Sequence, residues 1–183
     1  RAIPLRLLGG SAPMRGPGPR IRPGYLNQNE SGCVVKWIDL PPVWLAGFLV
    51  LAWIQAEYCA VGLGFGPVWA DLLGGLLVGG GVLLLALALT EMRRVRTTVI
   101  PHRDADRLVT SGIFSRTRNP IYLGDSMILA GLILYWDAVL ALPLVPVFVW
   151  IIERRFIIPE EDRLRRKFRA DFARYAQETR RWL

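Results

Sequence analysis

Two short stretches of this chain carry side chains that could do chemistry. The first is SRTRNPIYLG, in which Arg118, Asn119 and Tyr122 surround Pro120. Proline keeps the residue before it out of helical backbone, so a helix is expected to begin at or after Pro120. Arg118 and Asn119 then stand beside exposed N–H groups at a helix start, a place that can hold a carboxylate, a phosphate or a lipid headgroup. The second stretch is PEED, with Glu160, Glu161 and Asp162 following Pro159. Proline fixes a first helical turn and the carboxylates meet the positive end of the macrodipole, so by themselves these acids need be no more than dipole partners.

The elements that must position these groups are apolar. Between Pro41 and Thr90 the only Asp, Glu, Lys or Arg residues are Glu57 and Asp71, whereas the segments after Glu91 and after Glu153 are crowded with arginine. A mean hydropathy of +0.32 with charge so segregated places the chain among membrane proteins. The net charge of +8 flanks apolar spans and forms no basic domain, so anionic headgroups are the expected partner and nucleic acid is not. Cys33 and Cys59 have no second pair, which suggests neither a disulfide framework nor a metal site; Cys59 reads as an apolar filler.

Read along the chain, residues 1–36 form a proline-rich basic arm with no secretory core, although an arginine-rich transit segment fits its composition. Residues 37–183 form a single all-α, multi-pass membrane domain, with spans of about 43–64, 70–90, 119–136 and 138–158 and a tail helix over 159–178. The last two spans are read as a hairpin turning near Trp136 and Asp137. One long crossing would put the arginine-rich loop and tail on opposite sides of the bilayer, against the tendency of such segments to stay cytoplasmic. The arm, the central loop and the tail are therefore expected on the cytoplasmic side. Gly74, Gly75, Gly79, Gly80 and Gly81 place small residues four apart for close helix packing, and Gln55 and Glu57 are expected to point inward. In the tail, Leu164, Phe168, Phe172 and Tyr175 make one apolar face of a basic helix suited to the headgroup layer. Gly62, Gly64 and Gly66 belong to a tight turn, not to a nucleotide-binding loop, which would need a preceding strand.

The stretches TTVIPHRDADRLVTSGIFSRTRNPIYLG and IIPEEDRLRRKFRADFARYAQETRRWL together resemble the isoprenylcysteine carboxyl methyltransferase and phospholipid methyltransferase superfamily. The matching positions are Val109, Thr110, Gly112, Phe114, Arg118, Asn119, Pro120, Tyr122, Gly124, Glu160, Glu161, Leu164 and Phe168. The resemblance implies a small helical membrane enzyme that binds S-adenosylmethionine in a pocket closed by the central loop and the tail. By that analogy Leu108, Val109, Thr110, Gly112, Ile113 and Phe114 line the adenosine, and Arg118, Asn119 and Tyr122 help form the pocket. Glu160 and Glu161 bind polar parts of the cofactor or orient the acceptor, and Arg118 joins them as a candidate catalytic group. A sulfonium, an ammonium and a carboxylate on one cofactor suit a site with both arginine and paired carboxylates, and methyl transfer depends mainly on positioning.

The chain departs from the family pattern at Asn119, where the prenylcysteine enzymes usually carry His, at Arg169, where a Gly is usual, and at Phe172, where Tyr is frequent. These departures leave the acceptor open. An isoprenylcysteine-type carboxylate is placed first, a phospholipid amine next and a small thiol third. His102, upstream of the motif, is read as a solvent-facing or capping residue. Two other classes compete: a non-enzymatic four-helix protein that binds lipid or supports transport, and a membrane reductase using a nicotinamide cofactor.

Overall fold

In the computed structural model, residues 40–58, 64–95 and 108–182 are described. The arm, Cys33, Cys59 and His102 lie outside them. Helix α1 is Pro41–Tyr58, α2 is Pro67–Arg94, α3 is Pro120–Tyr135, α4 is Leu144–Ile152 and α5 is Ile158–Glu178. Short 3-10 turns occupy Gly112–Ser115 and Val139–Ala141, and a π-helical turn, Glu153–Ile157, joins α4 to α5.

Helix α2 packs on α3 through glycine. A Cβ on Gly81 would lie 2.6 Å from the Gly124 carbonyl oxygen, and one on Gly74 would lie 2.7 Å from that of Gly131. The reciprocal distances, from Gly124 to Gly81 and from Gly131 to Gly74, are 2.8 and 2.7 Å. The two antiparallel backbones therefore touch at two places seven residues apart on each helix. That spacing keeps a seam in register along nearly antiparallel helices. The expected four-residue spacing is not the one used: Gly75 and Gly79 have nothing within 4 Å, and Gly80 faces the Met127 methyl. Gly124, the end of the RNPIYLG motif, is thus a packing residue.

On its other side α3 meets α1 and α4 around Phe48, Ala52, Leu129, Ile133, Phe148 and Ile152, with the Phe48 and Phe148 rings edge to face at 5.3 Å. Gln55 points inward as expected, its side-chain oxygen accepting the Ala141 N–H at 3.1 Å. Glu57 does not: it is exposed in the last turn of α1, where the helix end carries it past the packed surface. Helix α3 ends at Tyr135 and turns at Trp136 and Asp137, as the hairpin requires. Asp137, at φ 54°, uses Oδ1 to accept the Phe65 N–H at 2.7 Å, so the α1–α2 and α3–α4 connections meet at one end of the bundle. The central loop and the tail meet at the other.

Residues 68–94 form the one helix among those described that is both long and apolar enough to cross a membrane; Pro120–Tyr135 is apolar but shorter. Leu72, Leu76, Leu83 and Leu87 of α2 and Val50, Leu51 and Trp53 of α1 present an apolar exterior. In water such a surface would be an aggregation hazard.

Two expectations for the tail are corrected. No break precedes Pro159, since helical backbone runs from α4 through the π turn into α5. Pro159 lacks the N–H that would bond to the carbonyl four residues earlier, and its ring crowds that carbonyl; the wider π turn falls at this point and relieves both demands. Nor does the apolar face of the tail point outward as an interfacial helix requires. Phe172 and Tyr175 are buried and Phe168 is half-buried. The helix bends at Arg169, whose φ of 41° and ψ of −106° are not helical.

Candidate functional site

The predicted site residues gather at the loop-and-tail end of the bundle, but many of them are bonded to each other or to the tail. Arg118 lies 3.3 Å from Glu161, whose side chain is 7% exposed. A second arginine meets the same carboxylate: Arg181 donates from Nε to Glu161 Oε1 at 3.1 Å and from Nη2 to Oε2 at 2.7 Å. Its Nη1 reaches Glu153 Oε1 at 2.6 Å. The bidentate bond to Glu161, first, and the bond to Glu153 hold the Arg181 guanidinium more firmly protonated than usual, against its partial burial. The Arg118 Nε–H is buried without a hydrogen-bond partner among the described residues.

The backbone of Arg181 belongs to the same clasp. Its carbonyl accepts from Asn119 Nδ2 at 3.1 Å and from the Thr117 hydroxyl at 3.3 Å, while the Arg180 carbonyl accepts the Arg118 N–H at 3.0 Å. Asn119 thus anchors the tail, and no side chain caps the start of α3. Tyr122 donates its hydroxyl to Glu160 Oε2 at 3.1 Å. The adjacent glutamates therefore serve different partners, as residues about 100° apart on a helix must.

The loop is pinned at two further points. Ser111 donates its hydroxyl to Glu91 at the end of α2, and Gly112, at φ 61°, sits so close that a Cβ would lie 2.9 Å from the Glu91 carboxylate. Gly112 therefore answers both a left-handed backbone and a close approach. Phe114 gives its carbonyl to the Tyr175 hydroxyl at 2.7 Å. Burial pushes the Tyr175 phenol above its ordinary range; Arg118 opposes this and Glu161 adds to it.

Between loop and tail lies a cavity of about 590 Å³, within the range of about 300–1,000 Å³ for small-molecule sites. The loop contributes Leu108, Thr110 and Ser115. The tail contributes Phe168 from before the bend at Arg169 and Asp171, Arg174, Tyr175, Glu178 and Thr179 from after it. Asp171, Arg174 and Glu178 are spaced so that they could pair, yet none is in an ion pair among the described residues. Of the predicted cofactor residues, Leu108 and Thr110 line this cavity. Val109, Gly112, Ile113 and Phe114 belong to the same loop but are not among the lining residues, and Arg118, Asn119 and Glu161 take part in the clasp, with Tyr122 bonded to Glu160.

Sequence reasoning missed Arg181, Glu153, Asp171, Arg174 and Glu178. The last three flank the apolar tail stripe at its own spacing and could have been read from it, whereas nothing marks Arg181 apart from its basic neighbours.

The bundle thus combines an apolar exterior with a cavity of mixed polar and apolar lining at one end. The family model described as phospholipid methyltransferase matches residues 69–171. The chain belongs to that family, a membrane methyltransferase family within the superfamily that also holds the isoprenylcysteine carboxyl methyltransferases. No curated protein and no solved structure matches it. The matched segment begins in the first turn of α2 and ends at Asp171, so Arg174, Tyr175, Glu178 and Arg181 lie beyond it.

Proposed function

We propose that this protein is an integral membrane S-adenosylmethionine-dependent methyltransferase acting on a lipid-like acceptor, with its cofactor in the cavity between the 108–115 loop and the tail. The observation that carries this is the set of groups lining that cavity in a chain of this family. Arg174 suits the cofactor's carboxylate, Asp171 and Glu178 suit its ammonium, and Phe168 and Leu108 offer an aromatic ring and an aliphatic surface to the purine. When bound, the cofactor supplies an electrophilic methyl group on a sulfonium. The protein's share is to hold that group and the acceptor in line and to exclude water. The clasp through Arg181 holds Arg118 and Glu161 together at the same end of the bundle.

The apolar exterior and the arginine-rich loop and tail support four crossings with the cavity opening toward the cytoplasm. An acceptor with an apolar tail then reaches the site from the side, leaving its polar end at headgroup depth.

Equilibrium binding of S-adenosylmethionine to the purified full chain in detergent tests the proposal. Saturable binding is expected, weakened about tenfold or more in Arg174→Ala and in Asp171→Asn, since a charge-assisted hydrogen bond contributes about 1.5–3 kcal/mol. Absence of saturable binding by the folded wild-type protein would overturn it.

A further inference from the structure

The 108–115 loop is one wall of the cavity, and it is held from two directions. Among the described residues its bonds to the tail all fall after Gly112: the Phe114 carbonyl accepts the Tyr175 hydroxyl, and the Ser115 carbonyl accepts the Thr179 hydroxyl at 3.5 Å. Leu108 and Thr110, which also line the cavity, come before that glycine. Their anchor is on another helix. Ser111 has extended backbone, with φ −98° and ψ 170°, so neighbouring side chains leave on opposite sides. Thr110 faces the cavity and Ser111 faces α2, where its hydroxyl donates to Glu91 Oε1.

The surroundings of Glu91 favour this contact. It stands in the last turn of α2, and its side chain is 12% exposed. A carboxylate so far out of water needs a donor. Arg94 is a loose one, 3.8 Å away with its own side chain 79% exposed, an arrangement that contributes little. The Ser111 hydroxyl is the close partner. Gly112 follows at φ 61°, and a Cβ there would lie 2.9 Å from the Glu91 carboxylate carbon, so the loop turns against the carboxylate itself. Two successive loop residues therefore fit around one side chain.

We propose that Glu91 is a positioning residue for the cavity. By holding Ser111 and seating Gly112 it sets the 108–110 wall in register with the bundle, so that the affinity of the cavity for its ligand depends on a side chain that does not line it. That the ligand is S-adenosylmethionine rests on the methyltransferase reading above; the anchor rests on the geometry at Glu91.

The test reads the loop and the ligand separately. Spin labels at Val109 and at Leu142, at the opposite end of the bundle, report the loop's position in the full chain carrying Cys33→Ser and Cys59→Ser. Equilibrium binding of S-adenosylmethionine to the unlabelled full chain in detergent reports affinity. One narrow distance distribution is expected for the wild type and a broad one for Glu91→Ala. Affinity should fall about tenfold or more in that variant, as for the loss of a hydrogen bond to a charged group. Ser111→Ala, which leaves α2 untouched and guards against a folding defect in the first variant, should do the same, and the double variant should be no weaker than either. Glu91→Gln keeps an acceptor oxygen of the same reach and should recover most of both signals. Distributions unchanged in both alanine variants overturn the anchor, and so does broadening in both with affinity intact. A Glu91→Gln variant as weak as Glu91→Ala assigns the effect to charge alone and overturns it too. A wild type that never binds S-adenosylmethionine, with the distributions responding as expected, leaves the anchor standing and defeats the cofactor reading instead.

Discussion

Helix α3 is held along its length and at its start by opposite means. Its seam with α2 works because atoms are missing: Gly74 against Gly131 and Gly81 against Gly124 let backbone touch backbone. Its start is held by charge, through Arg118, Glu161, Arg181 and Glu153 and the carbonyls that Thr117 and Asn119 reach. In a lipid surrounding there is no hydrophobic drive between helices, so close van der Waals packing has to join them. At the loop-and-tail end, directional bonds do the joining and fix the orientation of each group. The seam should thus be sensitive only to added volume, and the clasp only to lost partners.

The largest effect is expected at the seam. In Gly131→Leu the new side chain starts 2.7 Å from the Gly74 carbonyl and 2.8 Å from a Val78 methyl, and α2 must move away. A loss of about 3 kcal/mol is expected from such overpacking, read as the unfolding midpoint in mixed micelles. Gly75→Ala, one residue from the seam with nothing within 4 Å, should instead gain about 0.5–1 kcal/mol from helix propensity. Equal responses from the two glycines would mean that the seam does not discriminate by face.

The clasp comes next. Arg181→Ala strands Glu153 and leaves the buried Glu161 with Arg118 alone. Breaking a buried pair costs about 3–5 kcal/mol; with the Arg181 side chain 33% exposed, solvent screening brings the expected loss to about 2 kcal/mol. If the clasp is a unit, a double-mutant cycle of Arg181→Ala with Glu161→Gln will be non-additive. Additive losses would reduce it to unrelated surface contacts.

The effect expected at the tail bend is smaller than that at the clasp and is a gain. Arg169 holds a backbone conformation suited to glycine. Arg169→Gly should gain about 1 kcal/mol as relieved strain outweighs the entropy of an added glycine. A destabilised Arg169→Gly would show that the arginine side chain contributes more at the bend than the backbone loses.

What could be read from the sequence divides along the same line as the two regions. The apolar runs and the turn at Trp136 and Asp137 were legible because burial and turn chemistry leave local patterns. The seam was half legible. The run GGLLVGGG offers spacings of four and of seven at once, and only the position of α3 decides that Gly74 and Gly81 are used while Gly75 and Gly79 are not. The clasp was hardly legible, because Arg181 looks like any other arginine of a basic tail and earns its place through carboxylates 20 and 28 positions away. Glu160 and Glu161 were visible as a pair but not as two groups with separate partners. Pro159 was read as a helix start because proline ordinarily is one; the π turn that admits it within a helix has no local sequence mark.

The bond from the Phe65 amide to Asp137 joins residues 72 positions apart. It makes one end of the bundle a matter of timing. The residues 64–66 arrive early in synthesis and the carboxylate that fixes them arrives only with the second hairpin. On the proposed membrane topology the first two helices enter the bilayer as a pair, while the Phe65 amide gains its partner only once the turn after α3 is in place, so the bond closes late in assembly.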